Sequence, residues 1–311
     1  MTDTLDVHPA SPDEVVVAHR NVYDIWSKGR SLEEHIQYRL NADPHRRATW
    51  FVGCAGRHVA TSLGSYPVEF QVRGETIPGF AIGSVYTCGE YRGKGYAAKL
   101  IEGVEQQLAE RGMRLSILYS DIAAEYYAAM GYRLCPASAG WRYLSTVTKS
   151  NTDEILTEFQ EADDFAAMSA MYHDYHGATP FSIRRSDDYW RAMSSKFPED
   201  RFFWLKAEDG SNRGYVRLTP DPHGWRILDY ACADQTNESL SALYQAVLSL
   251  TAGWDVDRCG GWLPNNPITN DLFEVKDRKS EITMIKSLDP ALVIDDEIIA
   301  AADRFCEMDH V

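Results

Sequence analysis

The chain of 311 residues has no apolar run approaching the length of a membrane span, and its first nine residues lack the basic and apolar regions of a secretory signal. The expectation is a cytoplasmic protein with no membrane partner. Cysteine is sparse and scattered: Cys54, Cys88, Cys135, Cys232, Cys259 and Cys306 never fall in C-x-x-C pairs, which suits reduced, unligated thiols. Excess positive charge is also missing. Residues 1–150 carry 16 acidic and 16 basic side chains, whereas residues 151–311 carry 30 and 15, so the formal charge of −15 belongs to the second half. That field repels nucleic acid and favours cationic ligands, and no basic patch interleaves with the aromatic residues. His173 and His176 form the one close histidine pair, but no third ligand follows at a standard spacing, so no metal site is expected.

What the chain does have is concentrated at 81–112, AIGSVYTCGEYRGKGYAAKLIEGVEQQLAERG. Residues 81–87 are small, β-branched and aromatic, which predicts a buried strand. Ala97, Leu100, Ile101, Val104 and Leu108 recur at one-face helical spacing, and Gly112 follows the last turn as a stop signal. Between strand and helix, Arg92, Gly93, Lys94, Gly95, Tyr96 and Ala97 form a loop in which glycine lets the backbone turn tightly and approach a ligand. N–H groups at the start of the helix, helped by its dipole, suit a pyrophosphate there. The loop is not a P-loop, because Lys94 is followed by Gly95 and not by Ser or Thr; nor is it a Rossmann fingerprint, whose sixth position is Ala98 here.

Arg92 to Ala97 match R-x-x-G-x-[GA], and this segment resembles the acetyl-CoA loop of the GNAT superfamily of N-acetyltransferases. A second segment, 115–132, is similar to the family's N-x-x-A-x-x-x-Y-x-x-x-G-[FY], giving Ser120, Ala123, Tyr127, Gly131 and Tyr132, with serine standing where asparagine is commoner. Over 82–132 the wording also resembles the fungal lysine N-acetyltransferases. The resemblance implies acetyl-CoA as co-substrate and no metal. It implies that Arg92, Gly93, Lys94, Gly95, Tyr96 and Ala97 hold the pyrophosphate, that the backbone at Val85 and Thr87 pairs with pantetheine, and that Ser120 hydrogen-bonds an amide of it. Tyr127 is implied as the donor of a proton to the leaving thiolate, a role that suits a phenol of ordinary pKa about 10. Tyr126, its neighbour, is the competitor, and packing in a core is the plainer use of either ring. No base stands out among Glu69, Glu75, Glu90 and His58, and Val311 enters only because some two-domain members direct a C-terminal carboxylate into the site.

The order of elements extends the reading. A short strand at 5–8 and helices at 12–28 and from 31 precede meandering strands at 48–60 and 61–72. After the loop helix come a strand at 115–119, a short helix at 122–130 and a closing strand region to 144. Residues 145–152 read as a linker. The second half repeats the scheme weakly: helices at 161–175 and 186–196, strands at 202–207, 213–219 and 225–233, then a helix at 240–254. Where a loop should cradle phosphate stand Asp234, Gln235, Thr236 and Asn237. The expected fold is α+β: a GNAT acetyltransferase domain at 1–149, with a mixed, splayed central sheet flanked by helices, then a degenerate, acidic GNAT-like domain at 150–311, an unrelated cap being the other arrangement. The expected activity is acetylation of a small-molecule primary amine, such as an amino acid of the lysine kind, a polyamine or an aminoglycoside; an acyl-CoA sensor and a protein-lysine acetyltransferase are the rivals. Association into an oligomer is compatible with the sequence.

Overall fold

Strand residues alternate between faces, and in the second strand Trp50 and Phe51 show which layers this sequence builds. Phe51 packs with Leu63, Phe80, Ile82 and the helical Leu100, Ile101 and Val104 on one face, while Trp50 meets the ring of His19 on the other. The computed structural model describes residues 4–147 and 155–310. Of the linker expected at 145–152, residues 148–152 lie outside them.

The first half runs β1 (Leu5–Pro9), α1 (Pro12–Asn21), α2 (Tyr23–Trp26), α3 (Leu32–Asn41), α4 (Asp43–Arg46), β2 (Thr49–Ala55), β3 (His58–Val72) and β4 (Glu75–Thr87). It continues with α5 (Tyr96–Ala109), β5 (Leu115–Ser120), α6 (Ala124–Ala128), β6 (Arg133–Leu134) and β7 (Ser138–Tyr143). Ser11 and Ser31 start α1 and α3 with capping boxes closed by Glu14 and Glu34. The helical signal over 12–28 is broken at Val22, which separates α1 from α2.

The second half runs β8 (Ile155–Phe159), α7 (Glu161–Gly177), β9 (Phe181–Arg184), α8 (Asp187–Lys196), β10 (Arg201–Lys206), β11 (Asn212–Asp221) and β12 (Gly224–Cys232). After these come α9 (Asn237–Thr251), β13 (Arg258–Gly261), α10 (Pro267–Leu272), β14 (Glu274–Asp277), β15 (Ile282–Ser287) and α11 (Asp296–Ala301). Its order and its parallel β12–β13 pair across α9 repeat the parallel β4–β5 pair across α5.

One strand is not where the sequence placed it. The first sheet has eight strands, in the order β1-β2-β3-β4-β5-β15-β6 with β9 added to β3; the second has seven, in the order β14-β7-β13-β12-β11-β10-β8. Thus β7, expected to close the first sheet, lies in the second, and β15 comes back from the second half to pair with β5. The physical reason is an edge: β6 has only two residues, too few to cover β5, whereas β15 brings Thr283, Met284 and Ile285 as a fully buried centre.

The tail is tied in by charge. Arg185, fully buried between the rings of Tyr172 and Trp190, bonds the carboxylates of both Asp229 and Asp309. Asp309 therefore anchors the last described residues against β12, where one charged partner without the other would be strongly destabilising.

Candidate active site

The first sheet opens where the two motifs meet. β4 and β5 pair in parallel only from Gly79–Leu115 to Ile82–Leu118, after which β4 runs on to Thr87 without a partner on that side among the described residues. A bulge falls at the divergence: Ser84 has φ +53°, and the β3–β4 register shifts between Ser62 and Gly64. Val85 and Thr87 lie on this half-exposed stretch, which pairs with β3 on its other edge. Thr87 also uses its carbonyl to accept from Arg92 Nε at 3.0 Å, which fixes the first residue of the loop.

Gly93 and Gly95 have φ +75° and +72°, the left-handed region that the loop requires, and a Cβ at either would meet nothing within 4 Å. α5 starts at Gly95 with no side-chain cap and no acidic residue in its first turn. Orphan N–H groups of that turn lie beside Arg92, Lys94 and Lys99 in sequence, a composition that suits an anion. Tyr96 contributes backbone only, since its ring is buried against Ala55 and Ala60.

Ser120 is buried at the end of β5, and its hydroxyl is engaged with Ile122, donating to the carbonyl at 2.9 Å and accepting from the N–H at 3.3 Å. Tyr127 is 8 % exposed among Phe80, Ile82, Leu100 and Leu118, so it does pack in the core. Its hydroxyl has no hydrogen-bond partner among the described residues and is not among the sealed polar atoms, so the tip reaches solvent. Burial, then Tyr126 and Asp121, pushes its pKa up to about 12, which keeps the phenol protonated. Tyr126 lies edge-on to it at 5.1 Å, is half-exposed, and turns its hydroxyl to the backbone of Ala98 in the first turn of α5.

The acid–base candidates separate. Glu69 and Glu75 lie at the opposite end of β3 and β4 from the loop and are paired with Arg184 and Arg114. His58 and Glu90 are exposed. Val311 lies outside the described residues; the residue before it, His310, packs edge-on at 5.1 Å against Tyr119 of β5. Sequence reasoning missed this long-range approach, and also a polar network under the bulge. There Arg39 of α3 bonds Ser84 at 2.9 Å and His19 at 3.3 Å. The available signal was the i, i+4 spacing of His35 and Arg39, which puts both on the buried face of α3.

His173 and His176 part company. His176 is buried and donates from Nε2 to the Tyr230 carbonyl at 2.9 Å, near Asp229 and Cys306. Both Asp229 oxygens accept from Arg185, so this trio serves as internal scaffolding.

The sequence of the first half and the overall fold are both matched in known proteins. Residues 6–135 match the family model of the acetyltransferase (GNAT) domain. Those residues carry an acetyltransferase (GNAT) domain. The chain's fold is similar to that of a probable N-acyltransferase from Enterococcus faecalis, at TM-score 0.74 and 15 % identity, covering 92 % of this chain and 73 % of that one. A GCN5-related N-acetyltransferase from Anabaena variabilis gives TM-score 0.74 and 17 % identity over the same shares, 92 % and 73 %. N-myristoyltransferase from Saccharomyces cerevisiae, solved with bound myristoyl-CoA, gives TM-score 0.58 and 10 % identity, covering 100 % of this chain and 86 % of that one. No curated protein matches the sequence. The fold thus shared is a GNAT fold followed by a second GNAT-like half. No helix among the described residues is long and apolar enough to cross a membrane.

Proposed function

We propose that this GNAT protein is a cytoplasmic N-acetyltransferase that moves the acetyl group of acetyl-CoA to the primary amine of a small molecule. The observation that carries the reading is the start of α5: two left-handed glycines and an uncapped first turn at the mouth of a split strand pair. Acetyl-CoA supplies the activated acetyl group as a thioester. Arg92 to Ala97 hold the pyrophosphate through backbone N–H groups, and the free edge of β4 at Val85 and Thr87 pairs with the pantetheine arm. The N–H of Val85, beside the bulge, polarises the thioester carbonyl. Ser120 then acts through the turn that it builds, and Tyr127, held protonated by burial, gives its proton to the departing sulfur. The amine loses its proton through water, and the formal charge of −15 favours a cationic amine outside the cleft. Residues 1–149 are the catalytic domain in this reading and 150–311 its degenerate companion.

The test is release of CoA thiol across amino acids, polyamines and aminoglycosides, with a lysine peptide as a control. Turnover with a small amine is expected. Tight acetyl-CoA binding with no turnover on any amine would make the protein a sensor, and turnover on the peptide alone would make the acceptor a protein.

A further inference from the structure

Three arginines are buried among the described residues: Arg39, Arg185 and Arg217. Arg185 bonds two carboxylates and Arg217 pairs with Asp200. Arg39, 6 % exposed, has no such partner among the described residues, and only the hydroxyls of Tyr66 and Tyr38 favour its charge. Guanidinium does not shed its proton in a protein, so this is a standing, unneutralised cation. Its effect reaches the neighbours: His19 and His45 are both held down to about 3 by burial, with the Arg39 charge next.

The guanidinium is nevertheless held firmly. Nε donates to Nδ1 of His19 at 3.3 Å and Nη2 to Oγ of Ser84 at 2.9 Å, with the rings of Trp26 and Trp50 at 5.6 and 5.5 Å. Nη1 is different. Among the described residues it makes no hydrogen bond, and unlike Nη1 of Arg47 or Nη2 of Arg217 it is not sealed from solvent. A fixed, charged, unspent donor therefore faces accessible space at the bulge.

Its position defines what can reach it. The cofactor loop approaches the end of β4 from α5, which packs on the Phe51 face of the sheet. Arg39 reaches the same bulge from the Trp50 face, one residue from Val85. An acceptor attacking at Val85 from that side brings its amine to the thioester and its neighbouring groups to Arg39. We infer that Arg39 binds a carboxylate of the acceptor, which makes the acceptor an amino acid or another amine with a carboxylate close to its nitrogen. A planar carboxylate completes the charge and the hydrogen bonding that the protein leaves open. This rests on the acetyl-transfer reading and narrows its substrate class.

The test uses matched amines on the full chain: L-lysine, L-lysinamide and cadaverine, then L-phenylalanine and phenethylamine. Within each active set the carboxylate-bearing member is expected to have a kcat/KM at least about tenfold higher. Arg39→Gln should erase that gap without changing acetyl-CoA affinity, and Arg39→Lys should restore part of it. Thermal unfolding supplies an arm that needs no turnover: the amino acids should raise the melting temperature of the wild type and not of Arg39→Gln, and lysinamide should raise neither. Should Arg39→Gln fail to fold, the same comparison is read on Arg39→Lys, whose gap must shrink. Equal rates with and without the carboxylate, or a gap that survives in both variants, overturns the inference while acetyl transfer stands. No turnover alongside an Arg39-dependent shift upholds the carboxylate site and sinks acetyl transfer; neither signal sinks both.

Discussion

α5 and α9 each follow the inner strand of a parallel pair, and their first turns are finished in opposite ways. α5 begins at a left-handed glycine, uncapped and free of acidic side chains. α9 begins at Thr236, whose side chain accepts from the N–H of Ser239, with Glu238 in the first turn. Asp234 closes the turn further, accepting from the N–H and hydroxyl of Thr236 at 2.9 and 2.6 Å and from the Ser239 hydroxyl at 3.0 Å. The second half has thus placed its own carboxylate where an anion would bind. Its following helix differs as well: α6 carries Tyr126 and Tyr127, while α10, Pro267–Leu272, carries no tyrosine. The same chain order has left an open helix start in one half and a capped one in the other.

The largest effect expected from this contrast is at Tyr127. Tyr127→Phe keeps the ring and its packing and removes only the hydroxyl, so turnover should fall by about 10²–10⁴-fold with acetyl-CoA affinity little changed. Tyr126→Phe is the internal control, and steady-state kinetics on both decides the register. If Tyr126→Phe is crippled and Tyr127→Phe is normal, the proton comes from the tyrosine at the cradle; if both work, neither half holds a catalytic acid on this helix.

Acid should weaken both halves. His19 in the first and His176 in the second are buried and held near a pKa of about 3, against an ordinary 6.5, chiefly by burial. Above pH 6.5 both rings are neutral folded or unfolded, and stability is full. Below it the unfolded chain takes up protons that the folded chain refuses, so stability falls by ~1.4 kcal/mol per pH unit for each ring, or about 2 kcal/mol each by pH 5. Denaturant midpoints measured from pH 7 to 4.5 test this, and His176→Gln should flatten the profile by one proton. A flat profile in the wild type would mean that these rings protonate freely in the fold.

Gly95→Asp tests the open terminus. It forces a side chain into φ +72° and a like charge onto the pyrophosphate site, so acetyl-CoA affinity should drop at least about tenfold, ~1.4 kcal/mol. Titration calorimetry should also give one acetyl-CoA per chain in the wild type. Unchanged affinity in a folded variant removes the basis for the cradle, and a ratio of two means that α9 binds as well.

These local features were legible because each is written within a few residues. The glycines, the helical period of 97–108 and the missing glycine at 234–237 need no knowledge of the rest of the chain, and α7, α8, α9 and β10 to β12 follow from the same periodicities, whereas the short β8, β9, β13, β14 and β15 and the helices α10 and α11 were not read. The exchange of β7 and β15 was hidden because pairing partners lie far apart in sequence: Ile285 meets Ile117 across β15 and β5. Arg39 was hidden for the same reason, since its role depends on Ser84 and on the absence of a carboxylate that only the fold can show. Tyr127 stood between, with its register visible and its burial not.

The smallest expected effect is the most exacting for the comparison. Thr236→Ala removes one cap from α9 and should cost ~1 kcal/mol, the usual worth of such a residue, read as a small fall in melting temperature. It should not create a second cofactor site. Asp234 remains, Glu238 still places a negative charge in the first turn, and no glycine lets the backbone at 234–237 take the left-handed path that Gly93 and Gly95 take. The double variant Asp234→Gly, Thr236→Gly pushes further by restoring backbone freedom and removing one carboxylate. If acetyl-CoA then binds at two per chain, the cap alone separates the halves. If the ratio stays at one, as expected, the second half has also lost the cationic side chains that accompany the loop, where Arg92 and Lys94 have no counterpart among Asp234, Gln235, Thr236 and Asn237.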